Sequence, residues 1–260
     1  MRGRPLTFSM STNDPKQGER EYYARIGEEG RRHATRKPFD DANTVRHIAR
    51  FGAMLTSMRP PPARVVEFGC GTGWLSLMFA QTGYEVIGVD ISPEAIALAE
   101  QARVDRGIAH AAFRVGDYES IHIPEPADYV VFYDALHHAE VEEDALRTAH
   151  RILVPGGAAF CWEPGEGHAA TPLAKELVRD YGVHEKDMPP THIFSIARRV
   201  GFRRHQVLPL PEEYLGLLYR PGYTRAASQR DMRGRELLSL TRIVRWFFRP
   251  RPAGFVILYK

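Results

Sequence analysis

Cysteine is scarce in this chain, and that scarcity sets the first bound. The 260 residues hold two, Cys70 and Cys161. Two are too few for a disulfide framework, and the expectation is a protein of a reducing cytoplasm. Long apolar runs are lacking too: no stretch approaches the roughly 18–20 uninterrupted apolar residues that a membrane-spanning helix needs. The basic opening Met1-Arg2-Gly3-Arg4-Pro5 is not followed by an apolar segment, which argues against a secretory signal. Internal repeats are absent. Net charge is only +3, but it is unevenly spread. Arg220 to Lys260 carries nine Arg and one Lys against one Asp and one Glu, leaving the rest of the chain net acidic. A basic stretch this short on an otherwise acidic protein speaks against a nucleic-acid partner.

What is present is an alternation of short apolar runs with helical patterns. Residues 1–20 are polar and aperiodic and read as a mobile arm. Asp41 to Met58 has a helical apolar stripe, stopped by Pro60-Pro61-Pro62. Strands are then expected at Arg64–Phe68, Tyr84–Val89, Ala111–Val115, Tyr129–Tyr133, Ala158–Glu163, Phe202–Leu208 and Phe255–Lys260. Helices are expected at Trp74–Thr82, from Ser92 to about Arg106, and at Val141–Leu153, Pro172–Tyr181 and Ile193–Val200. Such alternation predicts a Rossmann-like α/β fold, a mainly parallel sheet covered by helices on both faces. Ligands then bind beyond the carboxyl ends of the strands. The organisation expected is an N-terminal arm or lid (1–36), a core domain (37–208 with 254–260) and an insertion (209–253).

The loop after the first strand has glycines at 69, 71 and 73, where the backbone can pass close to a ligand. The dinucleotide fingerprint would require glycine at 74, which is Trp74. Glu67, two residues before the first glycine, would repel a pyrophosphate but suits a ligand with an ammonium and a sulfonium. Asp90 ends the second strand, where a carboxylate can accept both hydroxyls of a ribose. Gly116-Asp117-Tyr118 follows the third strand, where an acid can accept from an adenine amine between apolar neighbours.

These segments resemble the class I S-adenosylmethionine-dependent methyltransferases, more closely the small-molecule type 11. The likeness covers about Arg64 to Glu163. Val65 to Gly73 resembles the first motif, Gly88-Val89-Asp90-Ile91-Ser92 the second, and Gly116-Asp117-Tyr118 the third, although its commonest version has Ala or Leu at the Tyr118 position. Tyr133-Asp134-Ala135-Leu136-His137-His138 resembles the fourth, and Leu153-Val154-Pro155-Gly156-Gly157 the turn before strand five. The resemblance implies seven strands with the last antiparallel. It implies S-adenosylmethionine as cofactor and S-adenosylhomocysteine as product. The contacts expected are Tyr23, Glu67, Gly69, Cys70, Gly71, Gly73, Trp74, Asp90, Ile91, Gly116, Asp117, Tyr118, Tyr133 and Asp134.

If the acceptor is a hydroxyl, a base must remove its proton, and His137 and His138 stand where the family places methyl and acceptor. The residues do not separate the two. Glu163 and His168, after strand five, border the same cleft and could face the substrate. No zinc spacing fits His137, His138, Glu140, Glu142 and Glu143, and no metal is expected. The fourth motif lacks the Pro-Pro pair of base N-methylating enzymes. The reaction expected is transfer to a small-molecule or glycan- or lipid-linked acceptor, at oxygen first. Transfer to nitrogen or carbon, as on a quinone-like lipid, and a non-catalytic cofactor-binding module are the alternatives. The apolar and arginine-rich run 237–249 reads as a basic amphipathic helix that could rest on an anionic membrane or cap the acceptor site.

Overall fold

The computed structural model describes residues 14–39, 43–218, 241, 244 and 253–260. Seven strands form one sheet in the order β3-β2-β1-β4-β5-β7-β6. They are β1 (Arg64–Phe68), β2 (Glu85–Asp90), β3 (Ala111–Val115), β4 (Ala127–Tyr133), β5 (Leu153–Trp162), β6 (Arg204–Leu208) and β7 (Phe255–Tyr259). β7 runs antiparallel to both β5 and β6, and the other pairings are parallel. The seven-stranded Rossmann-like expectation is therefore met.

Period-two side-chain alternation splits the core in two. Val65, Val86, Val131, Phe160 and Ile257 join one cluster with α3 (Thr44–Ser57), α4 (Trp74–Gln81) and α5 (Pro93–Asp105). Val66, Ile87, Val130, Cys161 and Val256 join the other with α6 (Glu142–Ile152) and α8 (Pro190–Val200). The order reverses between β1 and β4, so the loops following these two strands open a crevice at the carboxyl end of the sheet.

Several boundaries differ from the sequence expectation. β5 starts at Leu153, not Ala158, because an irregularity in the β4–β5 register carries the Pro155-Gly156-Gly157 turn inside the strand. α8 starts at Pro190, with proline in its first turn where no N–H is needed. β6 starts at Arg204 rather than Phe202. The arm is helical from Gln17: α1 (Gln17–Arg25) and α2 (Gly27–Arg36) precede α3. Tertiary contacts, invisible to local periodicity, hold α1. Arg25 donates to the carbonyls of Tyr181 and Asp180 at the end of α7 (Pro172–Tyr181). Gly18 also lies so close to the backbone of Gly182 that an added Cβ would stand 2.2 Å from its oxygen.

Of the insertion, α9 (Pro211–Leu218) is described. The expected helix 237–249 lies outside the described residues apart from Thr241 and Val244. Among the described residues no helix is long and apolar enough to cross a membrane.

Candidate active site

The loops after β1, β2, β3 and β4 meet α1 and α7 at the crevice. After β1 the backbone takes positive φ at Gly69, Gly71 and Gly73 (70°, 52° and 75°). This left-handed path turns the chain sharply into α4 without Cβ strain. The loop is tied to β2, with the N–H groups of Gly69 and Cys70 donating to the Val89 carbonyl at 2.8 and 3.0 Å. Asp90 then clamps it. One carboxylate oxygen accepts from Gly71 N–H at 2.8 Å and the other from Ser92 N–H at 2.9 Å, at the N-cap of α5. Burial pushes the Asp90 carboxyl up, opposed by those two N–H donors.

Tyr23, Gly69, Asp90, Ile91, Asp117, Tyr118, Asp134, His137 and His138, all expected from sequence, line a single cavity of about 380 Å³. Tyr23 reaches it from α1, with its hydroxyl 2.5 Å from where a Cβ on Gly71 would stand. Tyr118 donates to the Ala135 carbonyl at 3.0 Å and packs on Phe68 and Phe132. Asp134, a non-glycine residue at φ 49°, turns the chain out of β4. Backbone held in this region commonly marks a functional site. Its carboxylate lies 3.9 Å from Arg46 and 3.8 Å from Arg50.

Other expected contacts stand outside the cavity lining. Cys70, Gly71, Gly73 and Gly116 shape the loops. Trp74 and Tyr133 face the opposite core, in an aromatic cluster with His47, whose Nδ1 is 2.8 Å from the Tyr133 hydroxyl. Alternation along β4 sends Tyr133 to that face, and the left-handed turn at Asp134 then carries the chain to the crevice.

Glu67 is buried beside α4, where the Ser76 hydroxyl donates to it. Burial raises its pKa to about 8, opposed by Ser76 and assisted by the charge of Asp90. The folded state therefore holds this proton more tightly than the unfolded chain. The stability it contributes is complete below about pH 4.5 and is lost as pH rises through about 8. In denaturant titrations, the stability of the wild type relative to Glu67→Gln is expected to fall between pH 5 and 8, by up to about 1.4 kcal/mol per pH unit. A difference independent of pH would show that Glu67 is ionised in the folded protein.

The histidines sit in different environments. His137 Nδ1 is 2.7 Å from Glu163 Oε2. Burial and the neighbouring His138 hold the His137 imidazole down at about 3, that is, neutral. Glu163 is itself a buried brace: it accepts from the N–H groups of Ala135, Leu136 and His137 at 3.2, 2.8 and 3.2 Å. His138 donates from Nδ1 to the His184 carbonyl at 2.6 Å and lies 3.6 Å from Glu19 of α1. Burial opposes its charge, but the Glu19 carboxylate prevails and lifts it to about 9.

Sequence reasoning missed Lys16, Glu19, Glu119 and Glu185, all in the cavity wall. Lys16 bridges Asp117 and Glu119, at 2.7 Å to each, and the other Asp117 oxygen accepts from Glu119 N–H at 2.9 Å, so both oxygens are engaged before any adenine amine arrives. Local pattern does not mark Lys16, Glu19 or Glu185, because each reaches the site through the packing of α1 or of the segment between α7 and α8, whereas Glu119 lies two residues past Asp117 in the loop after β3.

The chemistry of this lining fits S-adenosylmethionine: a carboxylate at the end of β2, an acid and an aromatic after β3, and a glycine path with no side chain in the way. Comparison with known proteins agrees. Residues 66–161 match the methyltransferase domain family of type 11. The chain is 28% identical over 200 residues to a ubiquinone biosynthesis O-methyltransferase from Xanthomonas euvesicatoria pv. vesicatoria (strain 85-10), covering 73% of this chain and 79% of that one. It is 32% identical over 137 residues to a cypemycin N-terminal methyltransferase from a Streptomyces species, covering 50% and 55%. The fold matches that of magnesium protoporphyrin IX methyltransferase from Synechocystis PCC 6803 with bound S-adenosylhomocysteine. The TM-score is 0.60 at 17% identity, with 95% of this chain and 98% of that chain covered.

Fold, site and relatives together define an enzyme that transfers methyl groups. This chain is a class I S-adenosylmethionine-dependent methyltransferase, with S-adenosylmethionine as its cofactor.

Proposed function

We propose that the enzyme methylates a hydroxyl oxygen on a small molecule, free or carried on a glycan or lipid, and that His137 rather than His138 meets that hydroxyl. The observation that carries this reading is the His137–Glu163 pair at 2.7 Å, directly after the strained turn at Asp134. With Glu163 ionised, Nδ1–H donates to it and the Nε2 lone pair remains available for the acceptor. His138 is engaged elsewhere, fastening α1 through Glu19 and the chain at His184.

S-adenosylmethionine supplies a methyl already activated on a sulfonium. The new C–O bond forms as the C–S bond breaks, and a neutral thioether leaves. The chain's part is placement and dryness. Asp90, Asp117 and Tyr118 fix the nucleoside end, and Tyr23 on α1 covers the glycine loop. Leu173, Leu177 and Val183 offer an apolar wall for the body of the acceptor. The O-methylating relative, acting in ubiquinone biosynthesis, supports an oxygen acceptor on an apolar scaffold.

The test is S-adenosylhomocysteine release with a panel of phenols, catechols and sugar alcohols beside matching amines. Turnover is expected with hydroxyl acceptors, reduced about 10²–10⁴-fold in His137→Gln. Turnover confined to amines, or untouched by that substitution, would overturn the reading.

A further inference from the structure

One cluster beside the cavity is not needed to hold the cofactor. His137 Nε2, a ring nitrogen of His168 and a carboxylate oxygen of Glu185 lie within 4.8 Å of one another. From these we infer that the three residues form a binding site for a divalent transition cation of the zinc type, beside the methyl acceptor.

Two imidazoles and one carboxylate are a donor set suited to zinc, iron(II) or cobalt(II), and not to the all-oxygen preference of magnesium or calcium. It is also the protein half of an open catalytic site, with three ligands and one position left for water or substrate. The spacing agrees. Ligands about 2.1 Å from one ion in a tetrahedron stand roughly 3.4 Å apart; His137 Nε2 and Glu185 Oε2 are 3.6 Å apart. His168 Nε2 is 2.5 Å from the same oxygen, a gap that must widen by roughly 1 Å to admit the ion.

The surroundings are those of a built site. Glu163 holds His137 by Nδ1, which orients the ring and keeps Nε2 for the ion, as carboxylates commonly do behind metal-bound histidines. His168 lies on the loop after β5, and Asp187 pins that loop by accepting from the N–H groups of Gly167 and Ala169 at 2.9 and 2.8 Å. Met188 N–H also donates to the Pro164 carbonyl at 3.2 Å. These bonds seam two distant segments together and bring His168 against Glu185. Glu185 and His137 line the cavity, so the open position faces the acceptor.

The five residues weighed from sequence for a metal were His137, His138 and the acids following them; only His137 belongs to this cluster. His168 and Glu185 are far along the chain, so no ligand spacing could show them.

A cation here would ligate the acceptor hydroxyl and lower its pKa, its proton leaving to water, and the alkoxide or phenoxide would then attack the methyl carbon. His137 Nε2 would then ligate the ion and meet the hydroxyl through it, in place of accepting from the hydroxyl directly. That clause rests on the oxygen-transfer reading above; binding of the ion does not.

The experiment is calorimetric titration of chelator-treated protein with ZnCl2, and of the same protein with S-adenosylhomocysteine in a separate cell. One zinc per chain is expected, weakened more than about 100-fold by His168→Ala or Glu185→Gln and about 10–100-fold by Glu163→Gln. Cobalt(II) added to the unmodified enzyme is expected to give the strong visible absorption of a four-coordinate ion, which guards against a variant that misfolds. Zinc binding that is absent, or unmoved by both ligand substitutions, or cobalt with only the weak spectrum of the hydrated ion, would overturn the inference. Failure of S-adenosylhomocysteine to bind would instead strike the cofactor site, whatever zinc does.

Discussion

Asp90→Ala is expected to weaken S-adenosylhomocysteine binding by about 10²–10⁴-fold in calorimetric titration. The size follows from counting what the carboxylate can do. Its two oxygens each accept one backbone N–H, from Gly71 and Ser92, and still have lone pairs for two ribose hydroxyls. Each hydrogen bond to a charged acceptor contributes about 1.5–3 kcal/mol, and about 1.4 kcal/mol is tenfold in affinity. Alanine also frees the Gly71 N–H, so the glycine loop loses its fastening to the start of α5. Asp90→Asn should fall between, because its amide offers one acceptor where the carboxylate has two. Wild-type affinity in Asp90→Ala would remove the ribose assignment and, with it, the orientation of the cofactor in the cavity.

Glu163→Ala should cost about 3 kcal/mol or more of folding stability in denaturant titration, with loss of methyl transfer. Four donors converge on this buried carboxylate: three successive backbone N–H groups at 135–137 and, with the carboxylate ionised, the His137 ring. Leaving several of them buried and unpaired carries the usual penalty of about 1–3 kcal/mol each, part of which relaxation or entering water recovers. Glu163→Gln separates positioning from folding. It keeps the volume and one acceptor but cannot receive all four donors. It should retain most of the stability and affinity for S-adenosylhomocysteine while kcat drops by about 10–100-fold. A Glu163→Gln enzyme with unchanged kcat would show that the His137 ring needs no carboxylate behind it.

Much of the cofactor side was legible before folding was considered. The three glycines, Asp90 and Asp117 stand at or just beyond strand ends, so their spacing alone places them at one end of a parallel sheet; Glu67, inside β1, is buried beside α4 and stays out of the cavity lining. The strand runs themselves were visible because a doubly covered sheet demands apolar residues on both faces. Trp74 and Tyr133 were harder. They adjoin the motifs in sequence, yet strand alternation and the first turn of α4 direct them to the opposite core with His47.

The acceptor side belongs to tertiary structure. His137 and His138 are neighbours of like chemistry, and no local rule distinguishes them. Glu163 from β5 takes one, and Glu19 from α1 with the His184 carbonyl takes the other, so one ring is neutral and its neighbour charged. Residues 17–20, read as polar and aperiodic, join α1 because Lys16, Glu19 and Arg25 find partners far along the chain. The joining of His137, His168 and Glu185 depends on hydrogen bonds between two loops that sequence separates widely.

The sequence by itself determined the parallel α/β frame and the cofactor loops, because period-two burial, glycine conformations and strand-end carboxylates are local consequences of residue type. Only the tertiary structure decided which histidine pairs with Glu163 and which with Glu19 and the His184 carbonyl. Charge state and orientation there are set by groups whose proximity arises from packing and not from position in the chain.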